Sequence, residues 1–152
     1  LYKDFDYSLS VHDNRAIFSG VRAGIRVNGF QGSLKPTLLS VKNNFLKGNI
    51  ATSAIQSGRG MSRVIADVSG NIIYGAARSI TTQFDANDIV SAVGNMIVNP
   101  PATNTLGETI SDDIYLTTAY LSGNSIINTT KSTPVRIGGS SVTSEGWNWG
   151  SN

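Results

Sequence analysis

Residues 67–75 read DVSGNIIYG, and residues 120–128 read YLSGNSIIN. Ser-Gly-Asn follows a branched aliphatic residue and precedes isoleucine in both. The same pattern recurs in looser form as VHDN (11–14), VKNN (41–44) and the shortened VGN (93–95). Aligned on their last residue, these segments place Asn14, Asn44, Asn71, Asn95 and Asn124 in one column, 30, 27, 24 and 29 residues apart. Internal repeats of this period belong to solenoids and propellers.

Flanking columns support the alignment. Three residues before the asparagine stand Val11, Val41, Val68, Ala92 and Leu121, and two residues after it stand Ala16, Leu46, Ile73, Ile97 and Ile126. A third apolar column lies eleven residues after the asparagine, at Ile25, Ile55, Leu106 and Val135, with Ile80 reached after nine in the third repeat. Residues two apart on a strand share a face, so an inward isoleucine implies an inward asparagine. A buried amide must be hydrogen-bonded, and asparagines stacked coil on coil can bond one another as a ladder. Asn tolerates the left-handed backbone region, and Gly70, Gly94 and Gly123 just before it suit a bend between two short strands.

These columns resemble the right-handed parallel β-helices, such as pectate-lyase-like enzymes and bacteriophage tailspikes, over about residues 9 to 137. The expected fold is an all-β solenoid of about five coils over residues 1–137, with 138–152 as a cap or chain-contact tail. An antiparallel β-sandwich is the alternative, since it too uses short strands and many turns. Residues 85–98 also fit a helix, with Ile89, Val93 and Met96 on one apolar face, but Gly94 and the β-branched residues favour strands.

Composition agrees with stacked strands. In 152 residues, 14% are charged, against about 25% in average proteins, while 39% are hydrophobic and glycine occurs 16 times. The net charge of +2 comes without a basic run, which argues against nucleic-acid binding. No apolar run approaches a membrane span, and the absence of cysteine excludes disulfides and thiolate metal sites. The chain opens at LYKDFDYSLSV without an initiator Met and is expected to be a piece of a longer or processed protein.

Candidate chemistry is sparse. Glu108, Asp112 and Asp113 form the most acidic stretch and are the catalytic candidates, because glycosidic hydrolysis needs two carboxyl groups across the bond. Turn acids also arise as solvated surface or as caps of local amides. Arg59 and Arg63, in SGRGMSR (57–63), could hold sugar carboxylates or hydroxyls through guanidinium forks, or simply form a turn. Trp147 and Trp149 would share one strand face, where their rings stack on sugar, cap the last coil or meet another chain. His12 is the sole histidine, too little for a triad or a multi-His metal site. No cofactor or metal is expected. The resemblance implies a polysaccharide partner, cleaved by many members, a homotrimer, and an extracellular or virion location. Two other expectations are a non-catalytic fibre segment and a sandwich-type carbohydrate-binding module.

Overall fold

The computed structural model describes residues 8–20, 23–27, 37–50, 53–57, 64–82, 89–116, 119–138, 140–141 and 148–150. The described elements are all strands. The first coil holds β1 (Ser8–His12), β2 (Arg15–Ile17) and β3 (Ala23–Val27); the second holds β4 (Thr37–Lys42), β5 (Phe45–Lys47) and β6 (Ser53–Ser57). The third holds β7 (Val64–Ser69), β8 (Ile72–Tyr74) and β9 (Ile80–Thr82), and the fourth β10 (Ile89–Val93), β11 (Met96–Val98) and β12 (Ile114–Leu116). The fifth holds β13 (Ala119–Ser122), β14 (Ser125–Ile127) and β15 (Val135–Ile137), followed by β16 (Ser140–Ser141) and β17 (Asn148–Gly150).

Equivalent strands stack in parallel into three sheets. The first runs β1-β4-β7-β10-β13, the second β2-β5-β8-β11-β14-β17, and the third β3-β6-β9-β12-β15-β16, where only β16 pairs antiparallel. The chain is therefore a parallel β-solenoid, with about three turns, β4 to β12, enclosed by a neighbour on either side. The parallel pairing excludes the antiparallel sandwich, and with it the sandwich-type binding module. Residues 89–98 form β10 and β11 rather than a helix.

The aligned columns become the core. Val41, Val68 and Ala92 stack in the first sheet, and Leu46, Ile73, Ile97 and Ile126 in the second, all buried. In the third sheet the column is Ile25, Ile55, Ile80, Ile114 and Val135. Leu106, expected in that column, is instead 66% exposed. A long turn, 99–113, delays the fourth coil's return to the stack, so a fixed offset from Asn95 lands inside the turn and Ile114 takes the place.

The asparagines form the expected ladder between the first two sheets. Asn44, Asn71, Asn95 and Asn124 are at most 2% exposed, while Asn14 at the end of the stack is exposed. Each Nδ2 donates to the next Oδ1, at 3.0 Å for Asn14 to Asn44 and for Asn44 to Asn71, 2.9 Å for Asn71 to Asn95, and 2.8 Å for Asn95 to Asn124. Each Oδ1 also accepts the backbone N–H of the preceding ladder asparagine at 3.0–3.1 Å. The sharp bend falls one residue earlier than the ladder. Asp13, Asn43, Gly70, Gly94 and Gly123 all have φ between 54° and 65°, the region that Asn, Asp and Gly tolerate best. A second left-handed column, at Gly48, Gly75, Asn99 and Asn128, turns the chain from the second sheet toward the third.

Candidate functional site

The turn between β11 and β12 carries all three candidate acids, but it separates them. Thr103 and Thr109 pair across a small antiparallel bridge. At its tip the Asn104 side chain accepts from Leu106 N (2.9 Å) and Glu108 N (3.0 Å) and donates to Glu108 Oε2 (2.7 Å). This is the local side-chain turn that Asn favours. Glu108 is exposed there.

Asp112 and Asp113 are buried, at 1% and 0% exposure. The expectation of a solvated turn is corrected at both positions. Asp112 Oδ1 accepts from Arg78 Nε. Asp113 Oδ1 lies 2.5 Å from Lys131 Nζ, and its Oδ2 accepts from Thr129 Oγ1 at 2.9 Å. Lys131 Nζ also donates to the carbonyls of Ala77 and, at 3.3 Å, Asp112. The backbone of Asp113 joins the stack in both directions. Its carbonyl accepts Ser79 N (2.7 Å) and Ile80 N (3.2 Å), and its N–H donates to Pro134 O (2.7 Å).

Burial dominates the electrostatics here. It raises the Asp113 carboxyl above its ordinary value, against the opposing pull of the Lys131 charge and of the hydrogen bonds from Lys131 and Thr129. Burial likewise pushes the Lys131 ammonium below its ordinary value, against the attraction of Asp113. Both shifts favour the uncharged forms, as desolvation requires. Neither aspartate is open to a substrate in this arrangement, and each already has a cationic partner.

Of the remaining candidates, Arg59, Arg63 and Trp147 lie outside the described residues. Trp149 sits in β17, whose backbone pairs in register with Ile126 of β14.

Two accessible faces were not singled out by sequence reasoning. The outer face of the first sheet carries the register Ser10, Ser40, Asp67, Ser91, Tyr120. Beside it runs an apolar ledge of Leu38, Ile65 and Ile89, in register across three coils. Between them lies an open groove of about 350 Å³, lined by residues that include Leu38, Ser40, Ile65, Asp67 and Ser91. Lys42 Nζ reaches Asp67 Oδ2 at 2.6 Å, with both side chains partly exposed. The outer face of the second sheet carries two further registers: Arg15, Phe45, Ile72, Met96, Ser125 and Ile17, Lys47, Tyr74, Val98, Ile127. The Arg15 guanidinium lies over Phe45 and the Lys47 ammonium over Tyr74, at 5.4 and 5.3 Å from the ring centres. Each register sits at a fixed offset from a ladder asparagine: four before it for the polar column of the first sheet, six before it for the ledge, and one and three after it on the second. Extending the alignment to polar columns would have found them.

Comparison with protein-family models, with curated proteins and with solved structures found no match.

Proposed function

We propose that the chain is a segment of a β-solenoid protein that binds a polysaccharide along the outer face of its first sheet, without cleaving it. The groove on that face carries the reading. It combines an apolar ledge, for the flat faces of sugar rings, with hydroxyls and one carboxylate for their hydroxyl groups. Its features repeat once per coil, at the roughly 4.8 Å strand spacing, which suits a polymer laid across the coils. Cleavage of a glycosidic bond requires two carboxyl groups on either side of it. Among the described residues Asp67 is the one acid lining the groove, and it is engaged by Lys42. Such a role belongs outside the cell or on a virion, where surface glycans are met.

Electrophoresis through gels containing neutral or acidic polysaccharides tests this reading. The native chain should be retarded by at least one of them. Asp67→Ala and Ser40→Leu should weaken that retardation at least tenfold, with no release of new reducing ends in either case. Lack of retardation by every polysaccharide, or retardation indifferent to both substitutions, would refute groove binding. Reducing-end release by the native chain would replace binding by hydrolysis.

A second reading, self-association into a homotrimer, is favoured by the second sheet's outer face. Ile72 and Met96, 39% and 41% exposed, adjoin in register there, and Ile17 is 69% exposed on the same face, apolar surface that suits contact with another copy. Sedimentation should give a trimer that Ile72→Lys with Met96→Lys dissociates. A monomeric native chain at micromolar concentration would remove this reading.

A further inference from the structure

Lys131 and Asp113 form an ion pair whose two side chains are sealed from solvent. Nζ lies 2.5 Å from Oδ1, and the two side chains are 1% and 0% exposed. Three further groups fix their orientation. Thr129 Oγ1 holds Oδ2 at 2.9 Å, while the Ala77 and Asp112 carbonyls take N–H bonds from Nζ. The amine is thus held on the Oδ1 side of the carboxyl.

We propose that Lys131 and Asp113 join spontaneously through an isopeptide bond, Nζ to Cγ, which welds the fourth coil to the fifth.

The chemistry balances within the site. A proton passes from the ammonium to Asp113 Oδ1, leaving a free amine and a neutral carboxylic acid. Burial favours this uncharged pair for both partners. The nitrogen lone pair then attacks Cγ, and the C–N bond forms. Oδ1 takes a second proton from the nitrogen, the Cγ–Oδ1 bond breaks, and Oδ1 departs as water. Oδ2 becomes the amide carbonyl oxygen, with the Thr129 hydroxyl already donating to it. No oxidant, reductant or activated intermediate is required.

An amine and an acid condense very slowly in water, and two features of the site offset this. Holding both partners in contact replaces a bimolecular encounter, with effective molarities of up to about 10⁵–10⁸ M for well-oriented pairs. Excluding solvent removes the competing hydration of both charges and the back-reaction with water. Asp112, the neighbouring acid, is not a rival for the amine through its carboxylate, since Arg78 engages it. The bond would close an 18-residue separation in a chain that has no cysteine. It constrains the unfolded chain as a disulfide would, but reductants cannot open it.

The test is the intact mass of the native full chain, measured under denaturing conditions. The expected mass is one water below that of the sequence, and Lys131→Met should return the chain to its full sequence mass. Proteolysis should yield a branched peptide linking the segments around Asp113 and Lys131, with no tryptic cleavage after Lys131. A native chain at full sequence mass overturns the proposal outright. So does a water loss that maps to a linear peptide, which identifies an aspartyl succinimide instead. Neither result depends on whether the variant folds.

Discussion

Replacing Asn71 by leucine removes the middle of the ladder, and the structure gives the size of the effect. The Asn71 Oδ1 accepts both Asn44 N and Asn44 Nδ2, each at 3.0 Å, and its Nδ2 reaches Val41 O (2.9 Å), Ser69 O (3.2 Å) and Asn95 Oδ1 (2.9 Å). Not all of these partners are stranded by the change. Asn44 Nδ2 keeps Val11 O and Lys42 O, Ser69 O keeps Asn43 N, and Asn95 Oδ1 keeps the backbone N–H of residue 71. The buried Asn44 N–H loses its acceptor, at about 1–3 kcal/mol, and the lost bond to Val41 O adds about 0.5–1.5 kcal/mol net, the other partners each keeping a second bond. Burying an apolar side chain offsets part of this, by about 1.5–3 kcal/mol for leucine. The leucine must also fit between stacked asparagines without an exit, and such overpacking costs about 1–3 kcal/mol.

The expected net loss for Asn71→Leu is about 2–4 kcal/mol. With a urea dependence of about 2 kcal/mol per molar, the unfolding midpoint falls by about 1–2 M. Circular dichroism in urea measures it. Asn14→Leu is the internal control, because Asn14 is exposed and Asn44 Oδ1 retains the backbone N–H of residue 14 at 3.1 Å. Its cost should stay within about 0.5 kcal/mol. An unchanged midpoint in Asn71→Leu, or equal losses at the two positions, would refute the reasoning that the ladder matters through its buried partners.

Three other outcomes follow from the same geometry. Gly48 has φ +133°, and an added Cβ would lie 2.2 Å from the Phe18 carbonyl oxygen, whereas Gly75 in the same column has φ +74° and open space around it. Gly48→Ala should therefore cost well over the roughly 1–2 kcal/mol of left-handed strain expected for Gly75→Ala, and comparable urea midpoints would contradict the contact. In Lys131→Met, Asp113 stays buried and loses the cation that opposed its raised carboxyl. A folded value above the ordinary 3.8 means that the folded state holds the proton longer than the unfolded one. The Asp113 contribution to stability is then full below pH 3.8 and is lost as pH rises from there through the folded value; thermal melts in which Lys131→Met and Lys131→Met/Asp113→Asn share one pH dependence would refute it. Asp112→Ala, which leaves the Arg78 guanidinium unpaired at the edge of the core, should destabilise by about 1–3 kcal/mol, while Glu108→Gln at the exposed tip should remain within about 0.5 kcal/mol; equal melting temperatures for the two would show that burial does not separate them.

The ladder was legible because every coil must repeat it. A buried asparagine in this ladder bonds its amide to the next coil's asparagine as well as to backbone carbonyls, so the residue type recurs wherever the bend recurs. The apolar columns recur for the same reason, and they were read correctly wherever the chain between sheets kept its length. The Leu106 assignment failed where that length changed. A fixed spacing carries no signal of an inserted turn, and Leu106 is as apolar as the Ile114 that takes its place. The outer-face registers were present at equally regular offsets but vary in chemistry, because solvent does not require the same residue in each coil. Asp112 and Asp113 were noticed as a pair and misplaced. Their partners Arg78 and Lys131 lie 34 and 18 residues away, distances set by coil length rather than by a motif.

The adjacency of the two aspartates acquires its meaning from the stack. The two carboxylates engage different cations, which makes Asp112 and Asp113 a poor catalytic pair and a good clasp. Asp112 engages Arg78 of the third coil, and Asp113 engages Lys131 of the fifth. Lys131 reaches past the fourth coil to the Ala77 carbonyl of the third, so one ammonium touches three successive coils. The turn 99–113 has left the stack just before this point and must rejoin it at one register. A parallel sheet that slips by one residue reverses its faces, and here a slip would also leave the buried Asp112 and Asp113 side chains without their partners, a far larger penalty than a misplaced methyl group. Apolar columns alone would tolerate Leu106 near the place of Ile114. The Asp112–Arg78 and Asp113–Lys131 contacts do not, and they fix where the inserted turn ends and the fourth coil resumes.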